Sequence, residues 1–367
     1  MSENTIFVLG AGFSAPAHLP LQAELMRGVM KRTSPQPFQL DARDTLKRMF
    51  DALDSTELKT VSLEDVFTML DRARKTGETI RGFSHQDIQD SYKSLVQTIV
   101  QEFRRPLTDM DFTSSPFPAF VDELIKKRHG NGSNDDQESD EFSIVSLNWD
   151  TILDHLLNTR GTTGDRKVVL DYGCYDYDLN NQPDHIPSIR RKGEGLFNIK
   201  LLKLHGSLNW VVCSCCGRLF SDNDDAQPPV APLTPTPTCR FCSDVELENV
   251  VITPTLMKDL AQNQLRNIWH NAFLVLQDCD RIVFVGYSFP MADFEFRYIL
   301  LKSILGKQSL KIRVVLFPSD PCDGQALWRR DEVQQRYSQF FGSNRDIKFK
   351  FLDSAQFMCD PDLLWNW

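Results

Sequence analysis

Short unbroken apolar runs alternate along this chain with longer stretches that carry an apolar residue at every third or fourth position. The first pattern suits strands buried on both faces, the second amphipathic helices. The first run, Thr5-Ile6-Phe7-Val8-Leu9, leads straight into Gly10-Ala11-Gly12-Phe13-Ser14-Ala15, and a helical pattern follows from about Leu21 to Lys31. Strand, glycine turn and helix in that order suit a bound pyrophosphate, because glycine lets backbone approach closely and a helix start offers N–H groups and a positive dipole end. Ala15 takes the third slot of G-x-G-x-x-[G/A], but Met30 to Pro35 lacks the acidic residue of an ordinary dehydrogenase fingerprint. A strand and turn that serve only packing would read the same way.

From Asp41 to Lys127 the helical pattern dominates, with faces at Leu46, Met49, Phe50 and Leu53, at Leu63, Val66, Phe67 and Leu70, and at Leu95, Ile99 and Phe103. These stripes read as core. His129 to Glu141 is polar, acidic and glycine-containing, which predicts an exposed loop. Strand patterns return at Ser143–Leu147, ending in Asn148-Trp149-Asp150, and at Leu201–Leu204, ending in His205-Gly206-Ser207. Between them Gly161 to Gly195 is irregular and aromatic and carries no assignable chemistry. Further strands are predicted at Val250–Ile252, Arg281–Val285 before Gly286-Tyr287-Ser288, Lys311–Phe317 before Pro318-Ser319-Asp320, and Ile347–Leu352. Helices are predicted at Leu256–Leu276, from about Ala292 to Leu305, and through Arg336.

Strands alternating with helices predict an α/β fold with a doubly wound, mostly parallel, Rossmann-like sheet. Residues 1–40, 142–210 and 250–367 would build it. A helical insertion (41–130), an acidic loop (131–141) and a cysteine module (211–249) would interrupt it.

The cysteine module has metal-ligand spacing. Cys213-x2-Cys216 and Cys239-x2-Cys242 form two knuckles, which predict four thiolates around a structural Zn2+ with no position left for water. Cys215 leaves the register of the first knuckle open. Thiols of this kind fit a reducing compartment.

The remaining composition narrows the class. The chain has 367 residues, 41% hydrophobic and 25% charged, with a net charge of −9. That balance argues against direct nucleic-acid binding, since such surfaces are basic. The basic runs Lys126-Lys127-Arg128 and Arg190-Arg191-Lys192 read as solvated ends or loops. No apolar run reaches the roughly 20 residues that span a bilayer. The start Ser2-Glu3-Asn4 lacks a signal peptide's basic flank, so a cytoplasmic location is expected.

Five predicted strand ends carry polar or glycine residues, and in an open α/β sheet such ends share one crevice. Each has a plain reading alone: Asn148 as a helix cap, His205 as a satisfied core histidine, Ser288 as turn chemistry. Together, Gly10-Ala11-Gly12-Phe13-Ser14, Asn148-Trp149-Asp150, His205-Gly206, the four cysteines and Gly286-Tyr287-Ser288 occur in the order found in the sirtuin superfamily. The chain resembles that superfamily from Phe7 to about Leu352. The wording Leu147-Asn148-Trp149-Asp150 and Lys203-Leu204-His205-Gly206-Ser207-Leu208-Asn209-Trp210 is most similar to bacterial sirtuin-like proteins of anti-phage defence.

The resemblance implies NAD+ chemistry at the nicotinamide–ribose bond, where cleavage builds positive charge on the ribose. It implies Asn148 holding the ribose and the attacking water or nucleophile, His205 as general base on a ribose hydroxyl or water, and Asp150 orienting its neighbours or the nicotinamide amide rather than transferring protons. Gly10, Ala11, Gly12, Phe13, Ser14, Gly286 and Ser288 would hold diphosphate and ribose, with Ser319 and Asp320 towards the adenosine. Protein-deacylating sirtuins follow the glycine loop with G-I-P-D-F-R. Here the stretch is Ala17-His18-Leu19-Pro20-Leu21-Gln22, which keeps only the proline. That favours water as acceptor and an NAD+ hydrolase, over a protein deacylase or ADP-ribosyltransferase. A silent NAD+- or ADP-ribose-binding module and a zinc-ribbon scaffold are the non-enzymatic alternatives. In the resembled defence families activity is gated by homo-oligomerisation or by a HerA-type hexameric ATPase, and this chain has no P-loop of its own.

Overall fold

The first apolar run forms β1 (Thr5–Leu9), with every residue buried, as expected of a strand covered on both faces. The computed structural model describes residues 3–20, 63–80, 82–129, 141–163, 166–179, 196–222, 237–251, 263–317, 324–342 and 344–367, with a few helical positions between 24 and 49. After β1 comes a 3-10 helix (Ala11–Ala17), then α1 (Leu63–Thr76), α2 (His85–Asp109), α3 (Phe117–His129), β2 (Phe142–Ser146) and α4 (Ile152–Arg160). There follow β3 (Thr162–Thr163), β4 (Arg166–Asp171), β5 (Asp176–Asp178), β6 (Leu196–Lys203), β7 (Gly206–Cys213), β8 (Leu219–Ser221) and β9 (Leu247–Val251). The last part contains α5 (Asn263–Asp278), β10 (Arg281–Val285), α6 (Phe294–Ile304), β11 (Lys311–Leu316), α7 (Gly324–Phe341), β12 (Asp346–Phe351), α8 (Ser354–Met358) and α9 (Pro361–Trp365).

The main sheet has eight strands in the order β12-β11-β10-β1-β2-β6-β4-β3. Its neighbours pair in parallel throughout, except that β3 runs antiparallel to β4 at one edge. On one side of β1 the sheet holds β2, β6, β4 and β3, with β6 inserted between β2 and β4, and the chain then returns to β1's other side with β10. The point where strand order reverses therefore lies between β1 and β10, and in open parallel sheets the ligand crevice forms there, outside the carboxyl ends.

Register decides what lines that crevice. Leu9 is paired with Val285 and with Ser146, and Ser146 with Lys203. Four strands thus end in one row, and the residues that follow them emerge at one level: Gly10, Leu147-Asn148, Leu204-His205 and Gly286.

The helical region supports the row from below. Phe13 contacts Phe117 and Phe120 of α3 at ring distances of 5.5 and 5.3 Å, and Phe120 also meets Phe7 edge-on. The predicted apolar faces of α1 and α2 are buried. The predicted helix from Leu21 to Lys31 falls largely outside the described residues, as do Phe50 and Leu53, most of the acidic loop and Arg190-Arg191-Lys192.

Two stretches differ from the expectation. Val250-Val251 was expected to rejoin the main sheet, but β9 belongs to a separate four-stranded sheet, β5-β8-β7-β9. A strand's pattern shows that it is buried, not which partner covers it. Here β7 turns away after β6 at Gly206, whose φ of +77° suits glycine, and takes β9 antiparallel. The irregular aromatic stretch contains β4 and β5, and Tyr172 at the end of β4 stacks edge-on against Trp210 of β7.

Candidate functional site

At the end of β2, Asn148 donates from Nδ2 to the Gly10 carbonyl oxygen at 2.9 Å and to Ser14 Oγ at 3.1 Å. A carbonyl only accepts, so this contact fixes the amide orientation and leaves Oδ1 as the acceptor directed elsewhere. Ser14 in turn donates from Oγ to Asp150 Oδ2 at 2.6 Å, while Asp150 Oδ1 accepts the N–H of Ile152, the first residue of α4, at 3.2 Å. Both Asp150 oxygens are thus engaged. Burial pushes its carboxyl above the usual carboxylate range, against the opposing pull of Lys203 and the Ser14 hydrogen bond. Asp150 is built as an anchor for the β1 loop and α4.

His205 lies in the turn between β6 and β7, and the ring is buried. Its Nδ1 sits 2.9 Å from the Leu147 carbonyl oxygen, which again can only accept, so Nδ1 carries the proton and Nε2 keeps the lone pair of the neutral ring. Nε2 lies 3.5 Å from Asp293 Oδ1. Asp293 Oδ2 accepts from the Tyr287 hydroxyl at 2.9 Å. Burial and the Asp293 charge hold the Tyr287 phenol well above its ordinary range, so it remains a donor.

Below this layer lies a buried cation. Lys203 Nζ donates to the Asp150 carbonyl oxygen (2.6 Å), Asp154 Oδ2 (2.9 Å) and Ser207 Oγ (2.5 Å). Lys203 and Asp154 are each 1% exposed. Asp154 also accepts from Tyr172 Oη at 2.6 Å, and Ser207 donates onward to Asn209 Oδ1 at 2.6 Å. This buried charge is therefore paired and hydrogen-bonded, the condition for tolerating it.

The glycines hold the β1 and β10 loops against each other. The Gly12 N–H donates to the Gly286 oxygen at 2.9 Å, Gly10 N–H to Val285 and Gly286 N–H to Val315. A side chain on Gly286 would lie 2.2 Å from the Phe13 nitrogen, and its φ is +61°. One on Gly10 would lie 2.6 Å from Tyr287 Cα. Several loop amides are thus committed within the protein. Ala11 and Ser288 are exposed. Ser319 and Asp320 lie outside the described residues.

Sequence reasoning missed Asp293, Lys203 and Asp154. Lys203 did carry a signal, a lone charge inside the apolar run Leu201-Leu202-Lys203-Leu204. Asp293 reads as a helix N-cap and gave none.

A second centre lies on the small sheet. The Sγ atoms of Cys213, Cys216, Cys239 and Cys242 all lie within 4.8 Å of one another, and Cys216 and Cys239 are 3.8 Å apart. Thiolates at the corners of a tetrahedron about Zn2+ stand about 3.8 Å apart, from a Zn–S bond of about 2.3 Å. Cys215 is exposed and stands outside the four-sulfur group, so the first knuckle is Cys213 with Cys216. Four sulfurs would hold a structural Zn2+. Burial works against ionisation at Cys216, yet hydrogen bonding with Arg218 brings that thiol down to about 6; burial pushes Cys239 and Cys242 up. Metal binding must displace protons from the raised thiols, so affinity should weaken as the pH is lowered. Metal analysis of the purified chain is expected to find about one zinc per chain, as a closed four-thiolate site requires. Cys213→Ser or Cys242→Ser should lower both zinc content and the thermal midpoint; a zinc-free wild type overturns this reading.

No protein-family profile matches the chain, and no curated protein matches it. Among solved structures, a Sir2 homologue in complex with NAD is 13% identical, with a TM-score of 0.43, over 97% of this chain and 86% of that one. Sir2 bound to an acetylated peptide is 12% identical, with a TM-score of 0.41, over 97% and 90%. A Sir2 homologue variant with ADP-ribose is 13% identical, with a TM-score of 0.35, over 92% and 93%. These are distant resemblances, and the fold stands on the strand order and registers above. Among the described residues no helix is long and apolar enough to cross a membrane.

Proposed function

We propose that the chain is an NAD+ hydrolase that cleaves the nicotinamide–ribose bond to give nicotinamide and ADP-ribose, with NAD+ as substrate. The observation that carries this reading is the row of strand ends at the sheet's reversal point. It brings a fixed amide (Asn148), a buried imidazole with a defined acid–base nitrogen (His205) and the glycine loop of β1 to one level.

The chemistry suits those groups. The bond between ribose C1′ and the pyridinium nitrogen breaks, its electron pair neutralising the pyridinium, so nicotinamide leaves without an acid. Positive charge builds on the ribose, and Asn148 Oδ1 supplies a fixed negative dipole to meet it. Water adds to C1′, and its proton passes to His205 Nε2 and then to solvent. Asp150 holds Ser14 and α4 in place and needs no proton transfer.

We carry the defence role, the cytoplasmic location, self-assembly and a HerA-type ATPase partner as parts of the same proposal, on the motif resemblance. Self-assembly has one support in the fold. Met291, Phe294, Tyr298, Leu301 and Leu305 are all exposed and spaced three and four residues apart along α6 and its ends.

The test is NAD+ consumption by the full chain, with nicotinamide and ADP-ribose quantified and the mass of the active species measured by light scattering. Equimolar nicotinamide and ADP-ribose without added peptide is the expected result. Turnover only with an acyl-lysine peptide, or ADP-ribose found on a protein, would replace the hydrolase with the transferase reading. Tight NAD+ binding without turnover, alone and with the ATPase, would make the chain a binding module.

A further inference from the structure

Asp293 stands at the N-cap position of α6, where an aspartate normally accepts a backbone N–H from the first turn. It makes no such bond. Elsewhere Ser84, Asp353 and Asp360 cap α2, α8 and α9 in that way, while Thr151 at the start of α4 does not. The Asp293 carboxylate is instead turned inward and buried, with Oδ1 3.5 Å from His205 Nε2 and Oδ2 held by Tyr287.

The segment that carries it is clamped. Tyr337 of α7 donates to the Tyr287 carbonyl oxygen at 2.9 Å. Phe289 adopts a φ of +56°, which is costly for a side chain of its size, and is wedged between Tyr337 and Phe340 at ring distances of 4.7 and 4.8 Å. Forgoing a cap and holding a left-handed phenylalanine both oppose stability locally, and together they aim one carboxylate at one imidazole.

We propose that Asp293 is the positioning residue for His205, stabilising the imidazolium that forms when Nε2 takes a proton. This rests on the hydrolase reading for its catalytic consequence. The Leu147 carbonyl fixes Nδ1–H, and the 3.5 Å gap is longer than an ordinary hydrogen bond. A proton arriving on Nε2 meets a carboxylate that Tyr287 holds in place. Among the described residues, the following charged and titratable groups stand near the pair. Tyr287 donates to Asp293, and Arg297 of α6 lies over Phe289 and Phe340 with its charge acting on Tyr287, as does Tyr337 of α7. On the β6 side Lys203 is bound to Asp154, and on the β2 side Asp150 is bound to Ser14.

Asp293→Asn keeps size and capping ability while removing the charge. The first measurement is the NMR titration of the His205 ring in the full chain, without NAD+. The variant's midpoint is expected about one pH unit below wild type, the direction set by losing a nearby opposite charge. The second is the pH profile of NAD+ cleavage. A base acts only when neutral, so activity rises with pH, and the variant's acid limb should move to lower pH by the same amount. Its plateau kcat should fall about tenfold as the base weakens, with KM unchanged. A merely structural Asp293 would lower the thermal midpoint and leave the titration in place. Identical His205 midpoints in the two proteins overturn the proposal. A wild type that never cleaves NAD+ sinks the hydrolase reading alone, because the titration still decides the role of Asp293.

Discussion

Asn148→Ala is expected to lower kcat for NAD+ cleavage by about 10^3-fold, the usual scale for deleting a preorganised dipole at a developing charge. The protein should remain folded. Alanine removes two side-chain hydrogen bonds, to the Gly10 oxygen and Ser14 Oγ, but Ser14 keeps its 2.6 Å bond to Asp150. The loss of stability should therefore be about 1–2 kcal/mol, that of a buried polar group left without its partner. His205→Ala should fall within the roughly 10^2- to 10^4-fold range of a lost general base. Its Nδ1–H donates to the Leu147 carbonyl oxygen, and losing that bond should cost a similar amount of stability. Nicotinamide release by each variant, beside its thermal midpoint, checks both. Wild-type turnover in either variant rejects the role given to that residue. A loss of turnover with a collapsed midpoint would assign the residue to the fold instead.

What the sequence made legible was whatever depends on local pattern. The apolar runs of β1, β2, β6 and β10 and the polar residues after them could be read directly, and parallel pairing in level register does the rest. The two knuckles were equally plain, because ligand spacing is a local property. The side chains that matter through their direction were not legible. Asp293 is the type of residue that belongs at a helix start, and only its orientation shows that it serves His205. The same limit applies to Gly10, Gly12 and Gly286. Their presence announced a close backbone approach, and the structure shows that much of this approach is of two loops to each other. β9 was recognisable as a strand but not as the partner of β7, since a buried run carries no record of which sheet covers it. Tyr172 and Asp154 sit 18 residues apart, in an irregular stretch and a short helix, and their 2.6 Å hydrogen bond has no signature at either position.

Lys203→Met is expected to be the most destabilising of these single changes, by about 3–5 kcal/mol, the range found when one member of a buried ion pair is removed. Methionine fills much of the aliphatic volume, so the effect isolates the charge. The variant leaves Asp154, 1% exposed, without its cation, and it leaves the Asp150 carbonyl oxygen and Ser207 without their donor. Those groups belong to the turn that carries Asn148 and to the strand after His205, so turnover should fall along with stability. Lys203→Met combined with Asp154→Asn removes the stranded charge and can keep the Tyr172 hydrogen bond. It should recover part of the lost stability, read as a positive coupling in urea denaturation of the four proteins of the cycle. Additive losses would mean that Lys203 matters through packing and hydrogen bonding rather than through charge. Recovery of stability without recovery of turnover would separate the two functions of the lysine: balancing Asp154 beneath the sheet, and holding the Asp150 carbonyl so that Asn148 stands in the row with His205.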